Sequence, residues 1–142
     1  MTKPDTAALV AAAERAMRQA YAKYSGFQVG AAVLTARGGV FVGCNVENMS
    51  SPLGICAERS AIAAAVAAEG PSMRVDRLVV TAQSNGVPQT CTPCGACRQV
   101  ILEFGPEATV LYLGTDLQLV SASVRELLPQ AFAFDPPTRA GD

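Results

Sequence analysis

The sequence contains no histidine and no tryptophan, and only two of its eleven basic residues are lysines, Lys3 and Lys23. Without histidine, metal binding and acid–base chemistry fall to cysteine and carboxylate side chains. Eleven basic against twelve acidic side chains leave a formal charge of -1. No cluster of Lys or Arg can neutralise a run of phosphates, which argues against a nucleic-acid partner. Apolar stretches fall short of the roughly 20 residues a membrane span needs. Residues 1–21 lack the pattern of a secretory signal and carry Glu14, Arg15 and Arg18 at helical spacing. A soluble cytoplasmic protein is expected, in which the five cysteines stay free and clustered thiols point to metal or redox chemistry. At 142 residues the chain makes one domain with a core that needs no metal for stability, so a bound metal has a chemical role. The expected domain covers 1–134, and DPPTRAGD (135–142) reads as a loose tail.

Hydrophobic periodicity predicts an amphipathic helix over 4–21, with Leu9, Ala13, Ala16, Met17 and Ala20 on one face. FQVGAAVLT (27–35) and VFVGC (40–44) read as antiparallel strands joined by a glycine-bearing connection. The polar loop NVENMSSPLG leads to an alanine-rich helix over 56–69, stopped by Gly70. A strand over 77–82 follows, then a polar loop. Thr92 as N-cap and Pro93 as first helical residue open a helix to Phe104. Strands are expected over 108–114 and 117–122, and SVRE (123–126) has the spacing of a capping box. The order predicts a three-layer α/β/α fold, a mixed five-stranded sheet covered by helices.

CTPCGACRQV (91–100) carries three cysteines at intervals of three. Both cysteine-bearing segments are polar loops that enter a helix, where the positive N-terminus favours thiolate. Cys94 and Cys97, at i and i+3, lie on one helical face, and Cys56 from the other helix completes a three-thiolate set for zinc. Three protein ligands leave a fourth position for water, the arrangement of a catalytic site. Glu58, two residues beyond Cys56, approaches that water as proton shuttle.

CAE (56–58) followed by PCGAC (93–97) resembles the signature of zinc nucleobase deaminases. With YSGFQVGAAV, GCNVEN, CAER, PCGACRQV and LLPQAF, nearly the whole chain resembles the small, homotetrameric, three-cysteine type of cytidine deaminase. The resemblance implies that Cys56, Cys94 and Cys97 hold Zn²⁺ and that Glu58 is the acid/base in hydrolytic deamination of cytidine and 2′-deoxycytidine at C4. It implies further that Phe27 packs on the pyrimidine and that Asn45 and Glu47 bond the ribose hydroxyls. The backbone carbonyls near Cys94 and of Ala57 are expected to read the amine and ring edge, and Arg59 to temper the thiolate charge. Phe132, in LLPQAF, matches an aromatic that reaches a neighbour's site in a homotetramer with shared active sites. The partner is then a free pyrimidine nucleoside. One departure is Ser51, where related sequences often have a tyrosine at the sugar.

Other readings remain open on residues alone. CxxCxxC resembles an iron–sulfur run, but position 101 is Ile and the usual fourth cysteine is missing. A closed structural zinc on Cys56, Cys91, Cys94 and Cys97 would leave Glu58 and NVEN without a purpose. A deaminase of another cytosine nucleoside compound is the alternative within the same chemistry.

Overall fold

The structure is a computed structural model that describes residues 2–134, so the expected tail at 135–142 lies outside the described residues. Helix α1 (Thr6–Met17) opens where the Asp5 side chain accepts from Ala8 N at 2.8 Å. It ends before the sequence pattern does. Gln19 and Ala20 close it with tighter bonds to Ala16 O and Met17 O, and then Tyr21 N donates to Asn45 O and Tyr21 O accepts from Glu47 N at 2.8 Å, so long-range pairing draws Tyr21 away from the helix.

Strands β1 (Phe27–Thr35) and β2 (Val40–Cys44) have the expected bounds and pair antiparallel. β1 is buried on both faces, which is why it reads as a continuous apolar run and not as an alternation. A single 3-10 turn (Ser51–Leu53) precedes α2 (Ala57–Glu69). β3 (Val75–Ser84) runs further than expected in both directions and lies beside β1. Asn85 and Gly86, both with positive φ, then close a tight hairpin to β4 (Val87–Pro88), in a stretch expected to be loop. An Asn-Gly pair is the usual sequence sign of such a turn.

Helix α3 (Gly95–Phe104) leads to β5 (Thr109–Leu113), β6 (Leu119–Ser123) and α4 (Val124–Leu127). Ser123 and Glu126 form the expected capping box. The sheet has the order β2-β1-β3-β5-β6, with β4 as a short sixth strand on β3, one more than expected. β3 and β5 are parallel and the other pairs antiparallel.

Ala32, Leu34, Val79 and Leu111 face α1. Ala31, Val33, Leu78, Val80 and Val110 face the opposite layer, where Ala61 and Ile62 of α2 meet Ile101 of α3 and Val124 of α4. Helices therefore cover both faces, giving the three expected layers. Two glycines set the spacing. A Cβ on Gly30 would strike Ala13 O and Met17 of α1, and one on Gly43 would strike the backbone of α2. Both helices thus lie directly on strands, and α2 is held with its N-terminus toward the loop after β2.

Candidate active site

Cys56 and Cys94 are the N-cap residues of α2 and α3. Each is extended, with φ/ψ of -77/152 and -65/166, and neither side chain caps its own helix. Both sulfurs therefore stay available, while the free amides of two helix N-termini supply positive potential beside them. Cys97 is the third residue of α3 and fully buried. The three Sγ atoms lie within 4.8 Å of one another, and those of Cys94 and Cys97 are 3.4 Å apart.

The start of α3 departs from expectation. Thr92 and Pro93 precede the helix, and the cap is Cys94. Pro93 is buried, and its carbonyl accepts from Arg98 Nε at 2.7 Å, so that carbonyl is committed to a side chain and opens no helical ladder. Cys94 and Cys97 still share one side of α3, because an N-cap residue and the third helical residue also point the same way.

Glu58, the second residue of α2, is 4% exposed. Burial pushes its carboxyl above the usual range, partly opposed by a hydrogen bond with Cys97. The Cys56 thiol is held down to about 5, chiefly by the hydrogen bond from Cys97 and then, against burial, by Arg59. Cys97 is pushed up as the partner that keeps its proton, bonded first to Cys56 and also desolvated. Arg59 Nη2 lies 3.7 Å from Cys56 Sγ.

Cys56, Glu58 and Cys94 line a cavity of about 290 Å³ with Val29, Asn45, Glu47, Ile55, Ala57, Cys91 and Thr92 in its wall. A second hollow of about 460 Å³ adjoins it and shares Glu47, Ser51 and Gly54. Asn45 is anchored to β1, its Oδ1 accepting from Val29 N and its Nδ2 donating to Phe27 O, both at 2.8 Å, which leaves one N–H and one lone pair free. Glu47 accepts from Tyr24 N at 2.9 Å, from Ser25 N at 3.0 Å and from the Ser25 hydroxyl. The Ser25 hydroxyl, first among these bonds, holds its carboxyl below the usual range.

Two expected residues stand apart from the cavity. Phe27 packs on the core and is not part of the wall; Val29, two residues further along the same strand face, is. Phe132 is 74% exposed and borders another hollow with Leu102, Arg125 and Leu128. Ala57 lines the cavity, but its carbonyl, expected to read the ring edge, lies on the β2 side of the helix. That oxygen lies only 2.6 Å from where a Cβ on Gly43 would be, so it packs against β2. The backbone N–H of Ala57, first in the helix, is the group left for the cavity. The sequence marks Thr92 only as a helix cap and does not mark Val29 or Ile55; the period-two step from Phe27 to Val29 is the one signal that places any of the three at the cavity.

Cys91 contributes to the wall, but among the described residues the sulfur cluster comprises Cys56, Cys94 and Cys97 alone. Burial pushes the Cys91 thiol up to about 12. Tetrahedral zinc with Zn–S bonds of about 2.3 Å sets its sulfurs roughly 3.8 Å apart. The cluster brackets that spacing, so its donors fit the ion.

A family model described as the cytidine and deoxycytidylate deaminase zinc-binding region matches residues 3–113. The chain belongs to this deaminase family. It is 41% identical over 140 residues to a cytidine deaminase of Sporosarcina psychrophila, covering 97% of this chain and 98% of the relative. To a cytidine deaminase of Halalkalibacterium halodurans it is 45% identical over 134 residues, covering 92% and 96%. Its fold is similar to the crystal structure of cytidine deaminase from Burkholderia pseudomallei, with TM-score 0.80 and 42% identity over 91% of this chain and all (100%) of that one. The cytidine deaminase structure from Mycobacterium tuberculosis gives TM-score 0.77 at 37% identity over 92% and 99%. Deaminase membership and the zinc-binding region agree with the histidine-free cluster of Cys56, Cys94 and Cys97.

Proposed function

We propose that the chain hydrolyses cytidine and 2′-deoxycytidine to uridine and 2′-deoxyuridine with release of ammonia, using a zinc ion held by Cys56, Cys94 and Cys97. The observation that carries this reading is the three-sulfur cluster with buried Glu58 in the wall of the same cavity. Zinc on three protein ligands lowers the pKa of a water in its fourth position toward neutrality.

Glu58 is the proton carrier. It accepts one proton from the attacking water and delivers it to N3 of the ring, then takes the second from the hydroxyl now on C4 and passes it to the departing amine. Cytidine plus water thereby becomes uridine plus ammonia. Burial suits it to this task, because a carboxyl that binds protons more tightly than usual can both take and return them near neutral pH. Three thiolates and one Zn²⁺ sum to a net negative charge, which Arg59 and the two helix N-termini offset.

Asn45 fixes the loop after β2 and directs Glu47 to the sugar end of the cleft, where both serve the ribose hydroxyls. By the family resemblance Phe27, at the start of β1 and outside the wall described above, packs on the pyrimidine, and the Ala57 N–H meets the ring edge. No Lys or Arg borders either hollow among the described residues, which favours a free nucleoside over a nucleotide.

A homotetramer completes the reading. Met49 and Leu53 beside the cleft are 88% and 72% exposed, and Phe132 stands out from its own chain, as apolar groups do when a neighbouring subunit covers them. Among the described residues no helix is long and apolar enough to cross a membrane. All five cysteines are free, which suits a reducing cytoplasm.

The test is purified protein with cytidine, followed by loss of cytidine absorbance, ammonia release and metal analysis. About one zinc per chain and turnover of cytidine well above that of CMP are expected. Stoichiometric zinc without ammonia would instead identify a structural zinc module.

A further inference from the structure

Cys94 is the least supported of the three clustered cysteines: it is exposed, lies outside the helix it caps, and makes no side-chain cap bond. Cys97, by contrast, is fully buried within α3. The Cys94 carbonyl accepts the first helical bond, from Arg98 N at 2.9 Å, so it is the peptide on the N-terminal side of Cys94 that needs another anchor. Arg98 sits one residue beyond Cys97, and its guanidinium Nε donates to Pro93 O at 2.7 Å, the carbonyl of the peptide bond that leads into Cys94. Its Nη1 donates to Leu127 O at 2.6 Å, a carbonyl at the C-terminal end of α4 that has no helical partner of its own. Among the described residues Arg98 has no carboxylate partner, so its charge is committed to these two main-chain oxygens. It does not border the cavity.

We propose that Arg98 is a positioning residue that holds Cys94 in place for the metal by clamping the Pro93 carbonyl to the end of α4. The inference rests on Cys94 being a zinc ligand. One planar fork reaches both carbonyls at once, whereas an ammonium, a point charge on a flexible stem, can keep only one of the two bonds well formed. Fixing Pro93 O sets the plane of the Pro93–Cys94 peptide and hence the direction of the Cys94 side chain. A ligand so fixed is ready before the ion arrives, and groups that orient ligands from outside typically change metal affinity by about 10–100-fold.

The experiment compares full-length wild type with Arg98→Ala, Arg98→Lys, Arg125→Ala and Cys94→Ser by zinc competition against a chromogenic chelator, alongside thermal melting. Arg125 lies on α4 and pairs at the surface with Glu107, so it controls for disturbance of that helix. Zinc affinity should fall about 10–100-fold in Arg98→Ala. Arg98→Lys should be intermediate, and Arg125→Ala unchanged. Lower melting with undiminished zinc affinity in both Arg98 variants would overturn the proposal and leave Arg98 a merely structural residue. Should the alanine variant not fold, the lysine variant decides on the same criterion. If Cys94→Ser kept its zinc, the ligand assignment itself would fail; if it lost zinc while the Arg98 variants did not, only the positioning role would fall.

Discussion

Arg59 Nη2 meets Cys56 Sγ at 3.7 Å from three residues further along α2, so the first cysteine of the cluster carries its own counter-charge on the helix it caps. The guanidinium Nε is buried and has no hydrogen-bond partner, which commits the group to an electrostatic role beside the sulfur. Removing that charge leaves the thiolates to donate more negative charge to the ion and makes its bound water a weaker acid. Arg59→Ala should lose about 10–100-fold in kcat/KM while keeping its zinc. Steady-state kinetics on samples of known metal content checks this, and undiminished turnover would remove Arg59 from the electrostatics of the site.

Glu58→Gln separates proton transfer from metal binding. Gln keeps the shape of the side chain but cannot carry a proton, so kcat should fall by roughly two to four powers of ten. Zinc content should stay unchanged. Its effect on stability has the opposite sign. The folded carboxyl has a raised pKa, so its contribution is most favourable below the unfolded pKa and declines as pH rises through the folded one. At neutral pH the zinc-depleted Gln variant should therefore melt no lower than zinc-depleted wild type. A large drop in its melting temperature would contradict the burial argument.

Local patterns in the sequence identified the elements that local forces build. β1 was legible because an unbroken apolar run needs cover on both faces, β2 because its β-branched residues follow a hairpin-length connection, and the α4 cap because Ser123 and Glu126 bond each other within one turn. The misreadings fall where distant residues intervene. Residues 18–21 have helical periodicity, yet Asn45 and Glu47 take the hydrogen bonds of Tyr21. Pro93 has the chemistry of a first helical residue, yet Arg98 takes its carbonyl. The cysteines and Glu58 were readable because few alternatives existed in a chain without histidine. Ile55 and Thr92 were not, since only the fold brings them to the cavity wall.

Glu47 sets a pH limit on the sugar end of the cleft. Its folded pKa is lowered, so its bonds to Ser25 and Tyr24 contribute fully above the unfolded value of about 4.3 and are lost as pH falls through the folded value. The melting difference between wild type and Glu47→Gln should be constant near neutrality and shrink below about pH 4. A difference that persists unchanged into stronger acid would show that the carboxylate charge is not what holds the loop. The same variant should raise KM for cytidine more than it lowers kcat.

Gly43 determines how closely α2 approaches β2. A methyl group there would lie 2.6 Å from Ala57 O and 2.8 Å from Ser60 Cβ, and closer still to Ala61 N. Helix backbone cannot yield as a side-chain tip can, so Gly43→Ala should lift α2, displace the Cys56 cap and cost at least about 1–3 kcal/mol. Gly95 offers the contrast, because a Cβ there meets nothing within 4 Å. Gly95→Ala should leave stability unchanged or raise it by up to about 1 kcal/mol. Urea unfolding of the two variants checks the pair, and equal stability would mean the α2–β2 contact has room that the structure does not contain.

Cys91 tests whether the cluster is open or closed. It precedes the buried Pro93 and contributes to the cavity wall, but it stands outside the group of three sulfurs, and burial holds its thiol near 12, against ionisation. A fourth thiolate ligand would close the coordination sphere and leave no position for water. Cys91→Ser should therefore retain both zinc and turnover, whereas Cys94→Ser or Cys97→Ser should lose metal and activity together. Metal analysis and cytidine turnover on the three variants distinguish the cases. Loss of zinc from Cys91→Ser would mean a closed, structural ion, and hydrolysis at this site would then have no activated water.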